Sequence, residues 1–272
     1  MKRHAIGKIC ATTMAATAAL LLVATAHAAD DWSAIRKELY AERQIAPPPA
    51  GLAFYAPGQA ADGALVPISI VMNANIAKQA RRLTIVIDRN PAPVAAVVNF
   101  GDAWRRDGEI GDRVFATRIR VDAFSNVRAI LETETQSLAM AAQFVAGAGG
   151  CTSLGSKDPA SALASLGEVR ADKTSDVGRA AAWREATVKI RHPNFTGMQL
   201  DPATRTYTPA RYVQKIDVRD GQDLLVSIEG SISLSENPHI RLTYPGDDAD
   251  ITVDAEDSTG AKFAGRSLKR PS

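Results

Sequence analysis

Arg113–Asp122, RVFATRIRVD, decides the architecture. Near its end Ile119 and Val121 fall on one side and Arg118, Arg120 and Asp122 on the other. That is the two-residue period of a strand with one face in a core and one in water. Upstream, Val66–Met72 (VPISIVM), Arg82–Asp88 (RLTIVID) and Val94–Phe100 (VAAVVNF) are short β-prone runs, divided by polar segments and by Asn90-Pro91-Ala92-Pro93. Downstream, Val127–Thr133 and Ser137–Ala146 are two more candidates; the second is rich in Ala and Met, so propensity alone would also allow a helix there. Six strands in about a hundred residues, with no helical spacers, predict an antiparallel sandwich and exclude an α/β fold.

A second β run begins near residue 184. Thr187–Arg191 alternates, and Arg211–Arg219 leads through Asp220-Gly221 into Leu224–Glu229. Asp-Gly between alternating strands is a strong hairpin signal, because the turn needs positive φ at its centre. His239–Tyr244, Ile251–Glu256 and Lys262–Leu268 complete a second small sandwich. Between the two lies Gly147–Ala182, rich in Gly, Ala and Ser and poor in β-branched and aromatic residues. Such a segment buries little apolar surface and is expected to be mobile or only locally helical. The predicted organisation is an all-β chain with sandwiches at 50–151 and 184–270, joined by a linker at 152–183.

The N-terminus has a different character. Met1–Ala28 carries Lys2, Arg3 and Lys8 ahead of the apolar run Met14–Ala26 and ends in Ala26-His27-Ala28, a small-x-small cleavage site. This pattern predicts a secretory signal peptide at 1–28 and places the mature protein in an exported compartment. Asp30–Gln44 reads as a short amphipathic helix within an N-terminal segment 30–46, stopped by Pro47-Pro48-Pro49. Removal of the signal leaves 29 basic against 30 acidic residues, a net charge of −1. Near-neutral charge with no basic cluster in the sequence argues against a nucleic-acid partner, and no later stretch is long and apolar enough for a membrane span.

Few residues can carry chemistry. After cleavage only His192 and His239 remain of four histidines, with no metal-ligand spacing, so no metal is expected. No G-x-S-x-G elbow, Walker loop or dinucleotide fingerprint is present, and neither an enzyme nor a bound cofactor is expected. Asp247, Asp248 and Asp250 lack calcium-loop spacing. What stands out is Gly147-Ala148-Gly149-Gly150-Cys151. Of two cysteines, Cys10 leaves with the signal and Cys151 is left single in an oxidising compartment, where thiols are usually paired or absent. Glycine's wide φ/ψ range predicts a pliable stalk that presents the thiol outward. With Lys157 the nearest basic residue in sequence, the thiol is expected near its reference pKa of about 8.5.

The first sandwich resembles SoxY and the second SoxZ, the two subunits of the sulfur-carrier complex of periplasmic thiosulfate oxidation. The SoxY-like residues are Asn90-Pro91-Ala92-Pro93, Thr117-Arg118-Ile119-Arg120 and Gly149-Gly150-Cys151. The SoxZ-like ones are His192-Pro193-Asn194-Phe195-Thr196-Gly197, Pro209, Tyr212-Val213, Asp220-Gly221 and Ser235-Glu236-Asn237-Pro238. The order is that of the fused SoxYZ-like carriers associated with PQQ-dependent quinoprotein alcohol dehydrogenases.

The resemblance implies two immunoglobulin-like sandwiches packed together. It implies a periplasmic, non-enzymatic carrier that holds a pathway intermediate covalently on Cys151, on an arm formed by Gly147, Ala148, Gly149 and Gly150. It also implies partner enzymes that load and unload the thiol, with a PQQ-dependent dehydrogenase system among the candidates. The His192-Pro193 and Asn237-Pro238 motifs are expected to be structural. In the sulfur carrier the cysteine motif ends the chain, whereas here Thr152-Ser153 and a second domain follow. An exposed thiol would also allow a disulfide-linked homodimer. The alternative is a β-sandwich binding or assembly module for a quinoprotein dehydrogenase, in which Cys151 has no covalent role.

Overall fold

The computed structural model describes residues 31–107, 110–153, 163–175, 179–201, 204–247 and 249–267. The expected signal peptide, and residues 154–162 of the expected linker, lie outside these. The N-terminal helix, α1 (31–40), is shorter than expected. It stops at Ala41, which takes φ 49° while its N–H donates to the Lys37 carbonyl at 3.0 Å.

The remaining chain forms two sheets. The first half supplies β1 (Ile45–Ala46), β2 (Leu52–Tyr55), β3 (Val66–Met72), α2 (Ala74–Gln79), β4 (Ala80–Ile87), β5 (Val94–Phe100), α3 (Asp102–Arg105), β6 (Arg113–Ile119), β7 (Ser125–Thr133) and β8 (Leu138–Val145). The second half supplies β9 (Val169–Thr174), β10 (Trp183–Ile190), β11 (Val213–Asp220), β12 (Asp223–Gly230), β13 (His239–Pro245), β14 (Ile251–Asp257) and β15 (Lys262–Arg266). The fold is two immunoglobulin-like β-sandwiches; the periodicity predicts the sandwiches, and the resemblance implies their immunoglobulin-like form.

Alternation places the core. In β3, Val66, Ile68, Ile70 and Met72 are buried while the residues between them are not. In β6, Phe115 and Ile119 point inward. Arg113 shares that inner face, a position no apolar pattern would assign to it. Its guanidinium donates to the Trp104 and Arg106 carbonyls and lies 5.5 Å from the Trp104 ring centroid. Those acceptors offset part of the cost of burying a charge, and burial pushes its pKa down to about 10.

The two sandwiches do not merely touch. Their strands run in shared sheets, ordered β1-β8-β7-β4-β5-β12-β11-β14-β15 and β2-β3-β6-β13-β10-β9. At one seam β5 pairs antiparallel with β12, with Val98 opposite Ile228 and Phe100 opposite Val226. At the other β6 pairs with β13, with Ala116 opposite Arg241. The connecting segment therefore tethers the halves, and ladder hydrogen bonds and a common core join them. β5 reads VAAVVNF, apolar almost throughout, and none of its residues is fully exposed on either face.

Two expectations need correction. Within the expected linker, Val169–Thr174 forms an edge strand on β10, with Ala171 buried opposite Val188. Its pattern of small and charged residues hides the strand, because one side of the ladder suffices to hold it. Within the expected helical segment, Ile45 and Ala46 instead pair parallel with β8.

Each half alone would expose the long edges of β5 and β6, or of β12 and β13, which invites aggregation. Residues 31–153 and 163–272 produced as two chains in one cell should therefore co-purify one to one, and either alone should aggregate. Size-exclusion chromatography with light scattering distinguishes this from two independently folded monomers.

Candidate functional site

The site is built where the chain leaves β6. Arg120 N donates to the Ser233 carbonyl (2.8 Å), Val121 N to the Gly63 carbonyl (2.7 Å) and Asp122 N to Asn90 Oδ1 (2.9 Å). Asn90 Nδ2 donates in turn to the Arg120 carbonyl (2.7 Å) and to Ser233 Oγ (2.9 Å). The Asn90-Pro91-Ala92-Pro93 loop thus clamps residues 120–122 from one side, with Ser233 of the second half on the other.

Against this rail lies Gly147–Cys151. Gly149 N donates to the Asp122 carbonyl (2.8 Å) and Gly150 N to that of Val121 (3.2 Å). The glycines are there for close approach. A Cβ on Gly150 would lie 2.3 Å from the Gly63 carbonyl oxygen and 2.7 Å from that of Val121. Gly149 takes φ +68°, the left-handed region that glycine enters at no steric cost.

Cys151 itself is fully buried, at 0 % exposure. Its N–H donates to Asp122 Oδ1 (2.9 Å), and its carbonyl accepts from Thr196 Oγ1 (2.6 Å). Gln199 Nε2 holds the Ser153 carbonyl at 3.1 Å. Arg120, also at 0 % exposure, donates through Nη1 to the Gly150 carbonyl (2.9 Å) and through Nη2 to the Asn194 carbonyl (3.3 Å). Its Nε has no partner among the described residues.

The cover over the cysteine comes from the second half. Asn194 takes φ 44° and is pinned on three sides: its N–H donates to His192 Nδ1 (3.0 Å), Nδ2 to the Ser235 carbonyl (2.9 Å), and Oδ1 accepts from Val213 N (3.0 Å). His192 Nε2 faces Asp257 Oδ2 at 3.4 Å, and Arg211 Nε donates to the same oxygen at 2.7 Å. A neutral His192 with its proton on Nε2 satisfies both neighbours, and burial lowers its pKa. The His192–Gly197 motif is structural in the sense that it forms a turn. That turn also delivers Thr196 to the cysteine.

The expectation of an outward thiol on a pliable stalk of Gly147, Ala148, Gly149 and Gly150 is corrected on both counts. The glycines dock the segment against Gly63 and Val121, and Cys151 sits beneath residues 193–199. The expected pKa is corrected too. A cation, Arg120, does act on the thiol, but burial and the Asp122 carboxylate outweigh it and push the thiol up to about 12. Sequence reading gave Arg120, Asp122, Thr196 and Gln199 no part at the cysteine, although Arg120 and Thr196 stand in the quoted motifs. The alternation placed Arg120 outside with Arg118, but β6 ends at Ile119 and the chain then runs under the cysteine segment.

The description "Sulfur oxidation protein SoxY" matches residues 36–151, and "Sulphur oxidation protein SoxZ" matches residues 173–267. Among solved structures the chain is similar to the sulfur carrier protein SoxY from Chlorobium limicola f thiosulfatophilum, with 17% identity over 46% of this chain and 98% of that one and a TM-score of 0.37. No curated protein sequence matches.

Gly150→Ala should cost about 1–3 kcal/mol by overpacking the rail and should speed maleimide labelling of Cys151, which is expected to be slow in the native protein. Thr196→Ala, losing a hydrogen bond of about 1 kcal/mol, should raise the labelling rate roughly fivefold. The raised thiol pKa also has a stability consequence. Folding keeps the thiol protonated while the unfolded chain ionises it, so the contribution is intact below about 9 and fades as pH climbs towards about 12. Denaturant titrations across that window should lose stability less steeply in Cys151→Ala than in the wild type.

Proposed function

We propose, for a chain whose first domain belongs to the SoxY family and whose second belongs to the SoxZ family, a non-enzymatic periplasmic carrier that holds a sulfur-pathway intermediate on Cys151. The observation that carries this reading is the coincidence of the SoxY match, which ends at residue 151, with the one cysteine among the described residues, Cys151, held in a buried seat. The seat is closed, and a closed seat fits a carrier between loading events: a buried protonated thiol resists oxidation in an oxidising compartment.

What supports a release step is the way the segment is held. Gly147–Ser153 is fastened by individual hydrogen bonds to Asp122, Arg120, Thr196 and Gln199 and belongs to no long ladder. Bonds of this kind contribute about 1 kcal/mol each, so local opening costs far less than global unfolding. Once lifted off Gly63 and Val121, the glycines of the segment regain their freedom and become the arm. Partner enzymes load and unload the open form, a PQQ-dependent dehydrogenase system among the candidates, and the cargo is a covalent adduct such as a persulfide or S-thiosulfonate. A disulfide between two copies needs the same opening. The burial itself favours a second reading, a binding or assembly module in which Cys151 is packing alone.

Intact mass spectrometry of the protein from its native host separates the two. The carrier reading expects a sulfur-containing increment on Cys151 that is absent from Cys151→Ser, together with loss of pathway flux both in that variant and in Cys151→Ala, each shown by its melting transition to be folded at the assay temperature. A bare thiol under every growth condition and full flux in the serine variant would establish the module.

A further inference from the structure

We infer that the solvent face of β6, β13, β10 and β9 carries a binding site for a small tetrahedral oxyanion, separate from Cys151. The register builds it. Lys189 on β10 lies opposite His239 on β13 and opposite Arg170 on β9. Arg241 on β13 lies opposite Ala116 on β6, so His239 and Arg118, each two residues further on, share that face. Arg118, His239, Lys189 and Arg170 thus form one row across four strands drawn from both halves of the chain, with Arg241 beside it.

Like charges facing one another across strands destabilise a sheet, and counter-charges answer only part of this row. Glu168 accepts from Arg170 Nε at 2.7 Å and Glu185 from Arg241 at 3.1 Å. Among the described residues no carboxylate lies within 4.0 Å of Arg118, Lys189 or Arg191. These three and Arg170 converge on one cavity of about 350 Å³, with Asn237 and His239 also in its wall and Glu168 its one acidic group. A second cavity of about 480 Å³ adjoins it and shares Arg118 and His239.

Size and chemistry select the ligand. The first cavity lies at the small end of ligand pockets. Arginine forks match the paired oxygens of an oxyanion, and a lysine adds a point charge. Among the described residues His239 Nε2, a buried atom, has no hydrogen-bond partner. Burial, then Arg118, Lys189 and Arg241, lower its pKa, which favours the neutral ring with its single N–H donor. Oxyanions of sulfur and of phosphorus share this chemistry.

Isothermal titration of the mature chain with thiosulfate, and with inorganic phosphate at matched ionic strength, tests the inference. The expected result is saturable one-to-one binding by at least one of the two, weakened tenfold or more by Arg118→Ser and by Lys189→Ser and unchanged by Cys151→Ser. Tighter binding of thiosulfate assigns the site to sulfur oxyanions; tighter binding of phosphate assigns it to phosphorus oxyanions. In buffer free of both, Arg118→Ser and Lys189→Ser should melt no lower than the wild type, because each relieves repulsion. In the wild type the bound anion should raise the melting temperature by mass action. Heats that never saturate, or binding that survives both substitutions, would overturn the site. Binding lost in Cys151→Ser would also overturn it by moving the anion to the thiol, whereas failure of the carrier reading alone would leave these titrations unchanged.

Discussion

The pairing of β5 with β12 and of β6 with β13 is the constraint on which the other features rest. It fuses two sandwiches into common sheets and sets residues of the second half against residues of the first at fixed register. The cover over Cys151 follows from it, since Thr196 and Asn194 reach the cysteine and Arg120 only because the seam is closed. The cationic row follows from it as well: Arg118 belongs to one half, and His239, Lys189 and Arg170 to the other. Both features are completed only at the junction, which brings Arg118 to the row and Thr196 to the cysteine segment.

The strands were legible because period-two patterns survive in any sheet with one wet face. β3 and β6 show it at every step. The seam was harder to see, because pairing of a strand's edges leaves no mark on the alternation of its faces. VAAVVNF in β5 reports faces that are largely covered, without saying which strands lie beside it. β9 was missed for the opposite reason: an edge strand held from one side needs little apolar content.

The cysteine segment shows a limit of composition. Three glycines in four positions are equally consistent with a loose chain and with one pressed against another backbone. What decides is the partner surface, here Gly63 and Val121, more than twenty residues away in sequence. The same blindness affected the thiol's electrostatics. Sequence neighbours showed no cation near Cys151, while the fold brings Arg120 to the adjacent carbonyl and a carboxylate, Asp122, to the cysteine's own amide. Burial, with Asp122 acting in the same direction, then overrides Arg120, because removing a thiolate from water is the largest effect.

Carrying the lid and the thiol on one polypeptide has a further outcome. When a cover belongs to a separate subunit, its occupancy falls as the protein is diluted. Here Thr196 follows Cys151 on the same chain, so closure is intramolecular and governed by an effective concentration that does not depend on how much protein the compartment contains. Every molecule therefore carries its own guard in one-to-one proportion, even when it is scarce.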